Sequence, residues 1–272
     1  TARIACAVES ASKMHPNWTV HLLSVGADDH ARNGSSRSFV NLLASIQNVI
    51  LSKIEPQREF EGTPLASWYR SGALNKSSYP VQHLADALRL AVLYKRGGVY
   101  LDIDVVVMRP LNCLPSFVCQ SPAWRGDLVS NGFLGFHHGD PFLLELMNRT
   151  SKAYEHKTWG AIGPRLLRKV TLDMCGKRSV LELVGRRCGG DAGFTVLDHR
   201  KFLPVRYDKS RVFFAANSSE KAWNLANGSY VMHVYGKVTS KILSEPGSAY
   251  RQAAETYCPD SLQLSLYLNG TF

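Results

Sequence analysis

The chain reads as a single α/β domain in which helices alternate with short apolar strands around a mixed, mostly parallel central sheet. Three observations predict this. Apolar residues recur at helical spacing in several segments, and short β-branched runs closed by glycine or proline lie between them. No repeat, low-complexity segment or linker divides the 272 residues, of which 45% are hydrophobic and 20% charged, an ordinary balance for a core of this size.

The elements follow in order. "ARIACAVESASKMH" predicts a helix that stops before Pro16, and "WTVHLLSVG" a short strand ended by a glycine. "VNLLASIQ" and "NVILSKI" read as helix then strand. From Pro80, the apolar residues Val81, Leu84, Ala85, Leu88, Ala91 and Val92 share a helical face, and Gly97-Gly98 ends the helix. "VYLDIDVVV" follows at once as one continuous strand. "VSNGFLGF" predicts a strand, "PFLLELMNRTSKAYEH" and "GPRLLRKV" predict helices, and the stretch up to Pro204 is rich in loops. "YVMHVYG" is a late strand and "AYRQAAETYC" a closing helix. A chain of this class that opens with a helix is expected to have its first strand upstream.

Charge and composition narrow the partners. The formal net charge of +10 attracts anions, but there is no compact basic block and no nucleic-acid recognition motif, so no nucleic-acid partner is expected. No apolar run is long enough to span a bilayer; membrane attachment, if any, is expected through an anchor upstream of Thr1. Seven of the twelve asparagines (Asn17, Asn33, Asn75, Asn148, Asn217, Asn227 and Asn269) begin an Asn-x-Ser/Thr triplet, where chance would give about two. Six cysteines fit the same oxidising compartment. Cys113 with Cys119, Cys175 with Cys188 and Cys6 with Cys258 make one possible set of pairs among fifteen.

"YKRGGVYLDIDVVVMRP" carries the chemistry. On a strand, Asp102 and Asp104 lie two apart and point to one face, where two carboxylates repel unless a cation joins them. Hard oxygen ligands suit Mg²⁺ or Mn²⁺; a solvated strand end has the same spelling. Asp86 and Arg89, three apart on the preceding helix, can converge on one ligand or form a surface ion pair. Tyr100 shares the face of Asp102. "WRGD", Trp124 to Asp127, contains an RGD triplet and reads as a loop.

"HLADALRLAVLYKRGGVYLDID" resembles the donor-site block of the DxD sugar transferases, and "GTPLASWY", "NGFLGF", "WGAIGP" and "VMHVYGK" occur in the order of the α1,4-glycosyltransferases. The resemblance spans nearly the whole chain and is nearest to the lactosylceramide 4-α-galactosyltransferase type. It implies one Rossmann-like GT-A domain, with residues 1–110 binding the nucleotide sugar and 111–272 the acceptor. It implies metal ligands at Asp102, Asp104 and His233, with Asp102 shared with the ribose and Asp102 and Asp104 as the catalytic pair. Asp86, Arg89, Tyr100, Asn131, Gly132 and Lys237 would grip the donor, and Trp68 and Tyr69 the acceptor. The cofactor would be Mn²⁺ or Mg²⁺, the donor a UDP-sugar, and the acceptor a galactose-ended glycolipid or glycan. The setting would be the Golgi lumen, in a type II membrane protein.

Such a site stabilises charge on a departing diphosphate while an acceptor hydroxyl is held at the anomeric carbon. Retention of configuration needs a carboxylate nucleophile or same-face attack, and no convincing nucleophile stands out. Ala161 and Ile162 replace the polar residues expected in "WGAIGP", a departure that bears on substrate choice and favours same-face attack. The alternatives are an α-mannosyltransferase using GDP-mannose and a secreted glycan-binding protein without activity.

Overall fold

A computed structural model describes residues 1–26, 34–190, 193–268 and 272. The chain begins with α1 (Ala2–Met14), β1 (Val20–Ser24), α2 (Gly34–Ala44) and β2 (Val49–Lys53). Next come α3 (Pro56–Phe60), α4 (Leu65–Arg70), α5 (Pro80–Arg96), β3 (Gly98–Leu101) and β4 (Val105–Val107). They are followed by β5 (Phe117–Ser121), β6 (Leu128–Phe136), α6 (Pro141–Lys152), α7 (Pro164–Cys175), β7 (Arg187–Cys188) and β8 (Phe194–Leu197). The last elements are α8 (Ser219–Ala226), β9 (Val231–His233), α9 (Gly236–Thr239), α10 (Ala249–Tyr257) and α11 (Pro259–Tyr267). The α/β class is as the periodicity predicts.

These elements form two compact units. The first comprises Thr1–Lys53, Asp102–Cys113 and Arg200–Phe272. In it β1 and β2 pair in parallel, joined through α2, and β4 pairs antiparallel with β9. Its core gathers Cys6 and Val8 of α1, Phe39, Val106, Met232, Phe213, Phe214 and Tyr250. Glu9 is fully buried on α1, yet it is satisfied: its carboxylate accepts from the backbone N–H groups of Asp260 (3.2 Å) and Ser261 (2.8 Å), capping α11, and meets Lys13 Nζ at 2.7 Å.

The second unit comprises Ile54–Leu101 and Leu114–His199. Its five-stranded sheet has the order β3-β6-β5-β8-β7. Only β5–β8 is parallel within it; β3–β6, β5–β6 and β7–β8 are antiparallel. The parallel share of the pairing is therefore smaller than the helix–strand alternation predicts, because β5 and β6 are joined by a short loop that reverses the chain. Aromatic rings fill the core: Phe142 stacks on Phe136 at 5.2 Å and lies tilted to Phe194 at 4.5 Å between centroids. Gly135 sits opposite Phe117 in register, where a Cβ would come within 2.4 Å of the ring, so the second glycine of "NGFLGF" is set by packing.

Two expectations need correction. "VYLDIDVVV" is not one strand: β3 ends at Leu101 and β4 begins at Val105, and the two belong to different sheets. Asp102 to Asp104 lie in the bend between them, so no strand pleat aligns their carboxylates. Cys6–Cys258 and Cys175–Cys188 are bonded, whereas Cys113 and Cys119 remain thiols. Cys119 is buried in mid-strand on β5, and its thiol is pushed well up by burial, then by the charge of Asp198; Cys113 is exposed.

Candidate active site

Asp102, Asp104 and His233 converge in the first unit, with one ligand atom from each within 4.8 Å of the others. The sheet explains the meeting. His233 pairs with Val105 in the β4–β9 ladder, so it lies beside the bend, and Val234 N donates to Asp104 O at 2.9 Å. Asp104 Oδ1 lies 3.1 Å from His233 Nε2, and Asp104 Oδ2 accepts from Gly236 N–H at 2.7 Å. Burial alone would raise the Asp104 carboxyl; the adjacent His233 and the Gly236 amide outweigh it and hold the group below the usual range. Asp104 is thus poised as a carboxylate.

Two further residues build this corner without announcing themselves in the sequence. Tyr235 occupies the left-handed region at φ 54°, rare for a residue with a bulky side chain. That turn carries the Gly236 amide back to Asp104, while the Tyr235 hydroxyl donates to Val205 O at 2.6 Å and its ring packs edge-on to His233 at 4.1 Å. Gly236 itself is tightly placed: a Cβ there would meet Asp104 Cβ at 3.2 Å. The only trace in the sequence is the glycine of "VMHVYGK". Lys237, next along on α9, is exposed.

A second cluster forms in the second unit. Asp86 and Arg89, both buried on α5, pair at 3.1 Å as their spacing predicts. Asp86 Oδ1 also accepts from Asn131 Nδ2 at 2.7 Å, and Arg89 Nη1 donates to Asn131 O at 2.5 Å. The Arg89 guanidinium lies over the Tyr100 ring, 4.4 Å from its centroid. A bulge delivers Asn131: Cys119 pairs with Ser130 but Val118 with Leu134, so Asn131 and buried Gly132 belong to the part of β6 that leaves the ladder with β5. Gly163 closes the cluster, since a Cβ there would lie 2.6 Å from Asn131 Nδ2 and 2.8 Å from Asp86 Oδ2. Ile162 beside it is 1% exposed, a packing position that suits an apolar residue.

A buried ion pair is weak evidence of stability, because desolvation offsets much of its attraction. Its position beside a bulged asparagine and a glycine without room for a methyl group suits recognition better than support. The aromatic pair is placed differently. Trp68 on α4 is 4% exposed and packs edge-on to Phe60 (6.1 Å) and Tyr154 (5.2 Å), with Tyr69 at its side half-buried. Trp68 also lines a cavity of about 430 Å³ with Ser71, Lys76, Tyr154 and His156.

The donor set at Asp102, Asp104 and His233 fits a divalent ion: two hard carboxylates and an imidazole, with the Gly236 amide orienting one carboxylate as an outer partner. Among the described residues no helix is long and apolar enough to cross a membrane.

Comparison with known proteins agrees with this chemistry. Residues 1–120 match the model of the glycosyltransferase sugar-binding region containing a DXD motif, and residues 135–265 the alpha 1,4-glycosyltransferase conserved region. The lactosylceramide 4-alpha-galactosyltransferase of Rattus norvegicus is 30% identical over 266 residues, covering 97% of this chain and 72% of that protein. The alpha-1,4-N-acetylglucosaminyltransferase of Homo sapiens is 29% identical over 240 residues, covering 88% of this chain and 68% of that protein. With this extent of identity, and the DXD carboxylates brought beside a histidine, the chain belongs to the α-1,4-glycosyltransferase family and is a retaining glycosyltransferase.

Proposed function

We propose that the enzyme transfers galactose, or an N-acetylhexosamine, from a UDP-sugar to a galactose-ended glycolipid or glycan in α1,4 linkage. The observation that carries the proposal is the convergence of Asp102, Asp104 and His233. These three would hold a divalent ion, Mn²⁺ in preference to Mg²⁺ because an imidazole belongs to the set. When bound, that ion supplies positive charge to the diphosphate leaving group.

The chain's own residues would do the rest. Asp86, held by Arg89 and Asn131, presents a fixed acceptor oxygen to sugar hydroxyls. Tyr100 covers the guanidinium, Gly132 lets the bulged backbone come close to a ring, and Asp102 is shared with the ribose. Lys237 would add charge at the leaving group, and Trp68 and Tyr69 would face the acceptor. The whole chain would act as one catalytic domain, in the order nucleotide sugar then acceptor. The sequons and the two disulfides support the lumen of the secretory pathway, which we take to be the Golgi, in a type II protein anchored upstream.

The test is a donor screen with lactose-type acceptors in the presence of Mn²⁺, followed by linkage analysis. An α1,4 product from UDP-galactose or a UDP-N-acetylhexosamine, lost in Asp104→Ala, supports the proposal. Turnover of GDP-mannose alone, or of no sugar nucleotide, refutes it.

A further inference from the structure

The loop between β5 and β6 holds Trp124 in an unusual way. Trp124 (φ 49°, ψ 41°) and Arg125 (φ 57°, ψ 29°) both occupy the left-handed region, one after the other, although neither is glycine. Such a conformation is costly for residues with a Cβ and persists only where the surroundings impose it. They do so here. Gln120 Nε2 donates to Gly126 O at 2.8 Å, and a Cβ at Gly126 would lie 2.8 Å from the same nitrogen. Asp127 accepts from Ser179 Oγ (3.0 Å) and Val180 N–H (2.7 Å), while Arg168 Nε donates to Asp127 O at 2.8 Å.

The outcome of this strain is an exposed indole. Trp124 is 54% exposed, with the Arg165 guanidinium over its ring 5.1 Å from the centroid. A tryptophan free to relax would cover its apolar surface. This one is held out and braced by Arg165, at the cost of backbone strain. The brace also joins it to the buried cluster. Arg165 lies in the first turn of α7, two residues after Gly163, which abuts Asp86 and Asn131. Two residues of chain span at most about 7 Å. The loop feeds β6, on which Asn131 follows seven positions after Trp124.

We propose that Trp124 is a stacking platform for a pyranose ring of the acceptor glycan, and that Arg165 holds the indole in place for it. A rigid aromatic plane suits the C–H face of galactose or glucose, which offers apolar surface within an otherwise hydroxylated ring. This rests on the glycosyltransfer reading above, and it deepens the acceptor side of that reading, where Trp68 is buried and Trp124 is not.

The test compares Trp124→Ala and Trp124→Phe with the parent chain. KM for a soluble lactoside should rise about tenfold in the alanine variant and much less in the phenylalanine variant, as loss of a stacked ring implies. Hydrolysis of UDP-galactose without acceptor should stay within about twofold, which also reports that the variant is folded. Independently of activity, the Trp124 resonance of 5-fluorotryptophan-labelled protein, assigned by its loss in Trp124→Phe, should shift on titration with lactose. An unchanged KM with an unmoved resonance overturns the proposal. A defect confined to glycolipid in vesicles, with the soluble lactoside unaffected, also overturns it and makes Trp124 a membrane-surface contact. If the parent chain turns over no UDP-sugar, the functional reading fails by itself, and the resonance shift still decides the platform.

Discussion

Replacing Gly163 with alanine tests the Asp86–Arg89–Asn131 cluster by a single methyl group. Its φ of −96° is ordinary, but its ψ of −129° lies between the β and α regions, so alanine meets a backbone cost of about 1–3 kcal/mol as well as the lack of space. The new Cβ would fall 2.6 Å from Asn131 Nδ2 and 2.8 Å from Asp86 Oδ2, about 0.8 and 0.6 Å inside ordinary contact at 3.4 Å. Both neighbours are side-chain ends, so the backbone can stay while they move. Moving the amide by that amount stretches its 2.7 Å bond to Asp86 to roughly 3.5 Å, the limit of a hydrogen bond. A hydrogen bond to a charged group contributes about 1.5–3 kcal/mol, so the variant should lose roughly 10- to 100-fold in kcat/KM for the donor. The backbone cost should by itself lower the thermal midpoint by several degrees, so the kinetic loss is read on protein shown by the melting curve to be folded at the assay temperature. The assay is UDP-sugar turnover with saturating lactoside, beside a melting curve. A variant that turns over within twofold of the parent would refute the reasoning, since the cluster would then be packing without a role in the reaction.

Three further outcomes are expected. Metal addition should stabilise the parent chain by about 2.7 kcal/mol at a hundredfold excess over Kd, read as a thermal shift. Asp104→Asn should abolish that shift; a full shift in the variant would remove Asp104 from the ligand set. His83 is buried, with Nδ1 2.7 Å from the Tyr154 hydroxyl and Nε2 3.2 Å from Thr158 O, and burial holds its pKa below the ordinary 6.5. A histidine lowered in the folded state contributes stability above pH 6.5 that is lost as the pH falls toward the folded value. His83→Gln should therefore flatten the fall in denaturation midpoint from pH 7 to 5, and an unaltered fall would assign it to other groups. Denatured, unreduced protein should expose two thiols, and Cys258→Ser should lose about 5 kcal/mol from a loop of 252 residues in the chain-entropy account. Four titratable thiols, or a loss under about 1 kcal/mol, would contradict the pairing or its weight.

What was legible in the sequence was whatever depends on neighbours in the chain. Helix α5 shows its Pro80 start and its Gly97 end, and the three-residue step from Asp86 to Arg89 predicts their meeting, but its buried face runs through Ala87, Leu90 and Leu93 while Val81 and Ala85 of the expected apolar face are exposed. Strands β1, β2 and β6 are equally plain. Helix α11 was not, because Pro259 follows "YC" and reads as a stop when it is the first residue of a new helix. Nothing local says that Glu9 caps that helix across 251 positions, or that Cys119 is sealed in a strand. Asn33 and Asn269 of the sequons lie outside the described residues. The positive-φ residues Trp124, Arg125 and Tyr235 carry no spelling at all, since only glycine and asparagine advertise such a backbone.

The bend at Asp102 to Asp104 shows how a correct expectation can follow from an incorrect picture. A continuous strand would indeed have put both carboxylates on one face, but it would also have fixed their spacing at the repeat of the pleat. It would have left each with a ladder bond and none with a reason to approach a histidine. Ending β3 at Leu101 and starting β4 at Val105 leaves three residues outside both strands, with Asp104 O still accepting from Val234 N and Ile103, between the two aspartates, 49% exposed. The Asp104 carboxylate is then positioned by its bonds to the amide of Gly236 and to His233. Val105 to Val107 serve as the anchor behind the bend, since all three are buried and their pairing with β9 brings His233 to it. In this chain the DXD spacing is therefore a property of a turn held by its neighbours. Substitutions at Tyr235 and Gly236, which supply no ligand atom but hold His233 and Asp104, should disturb the metal set as surely as a change in the aspartates themselves.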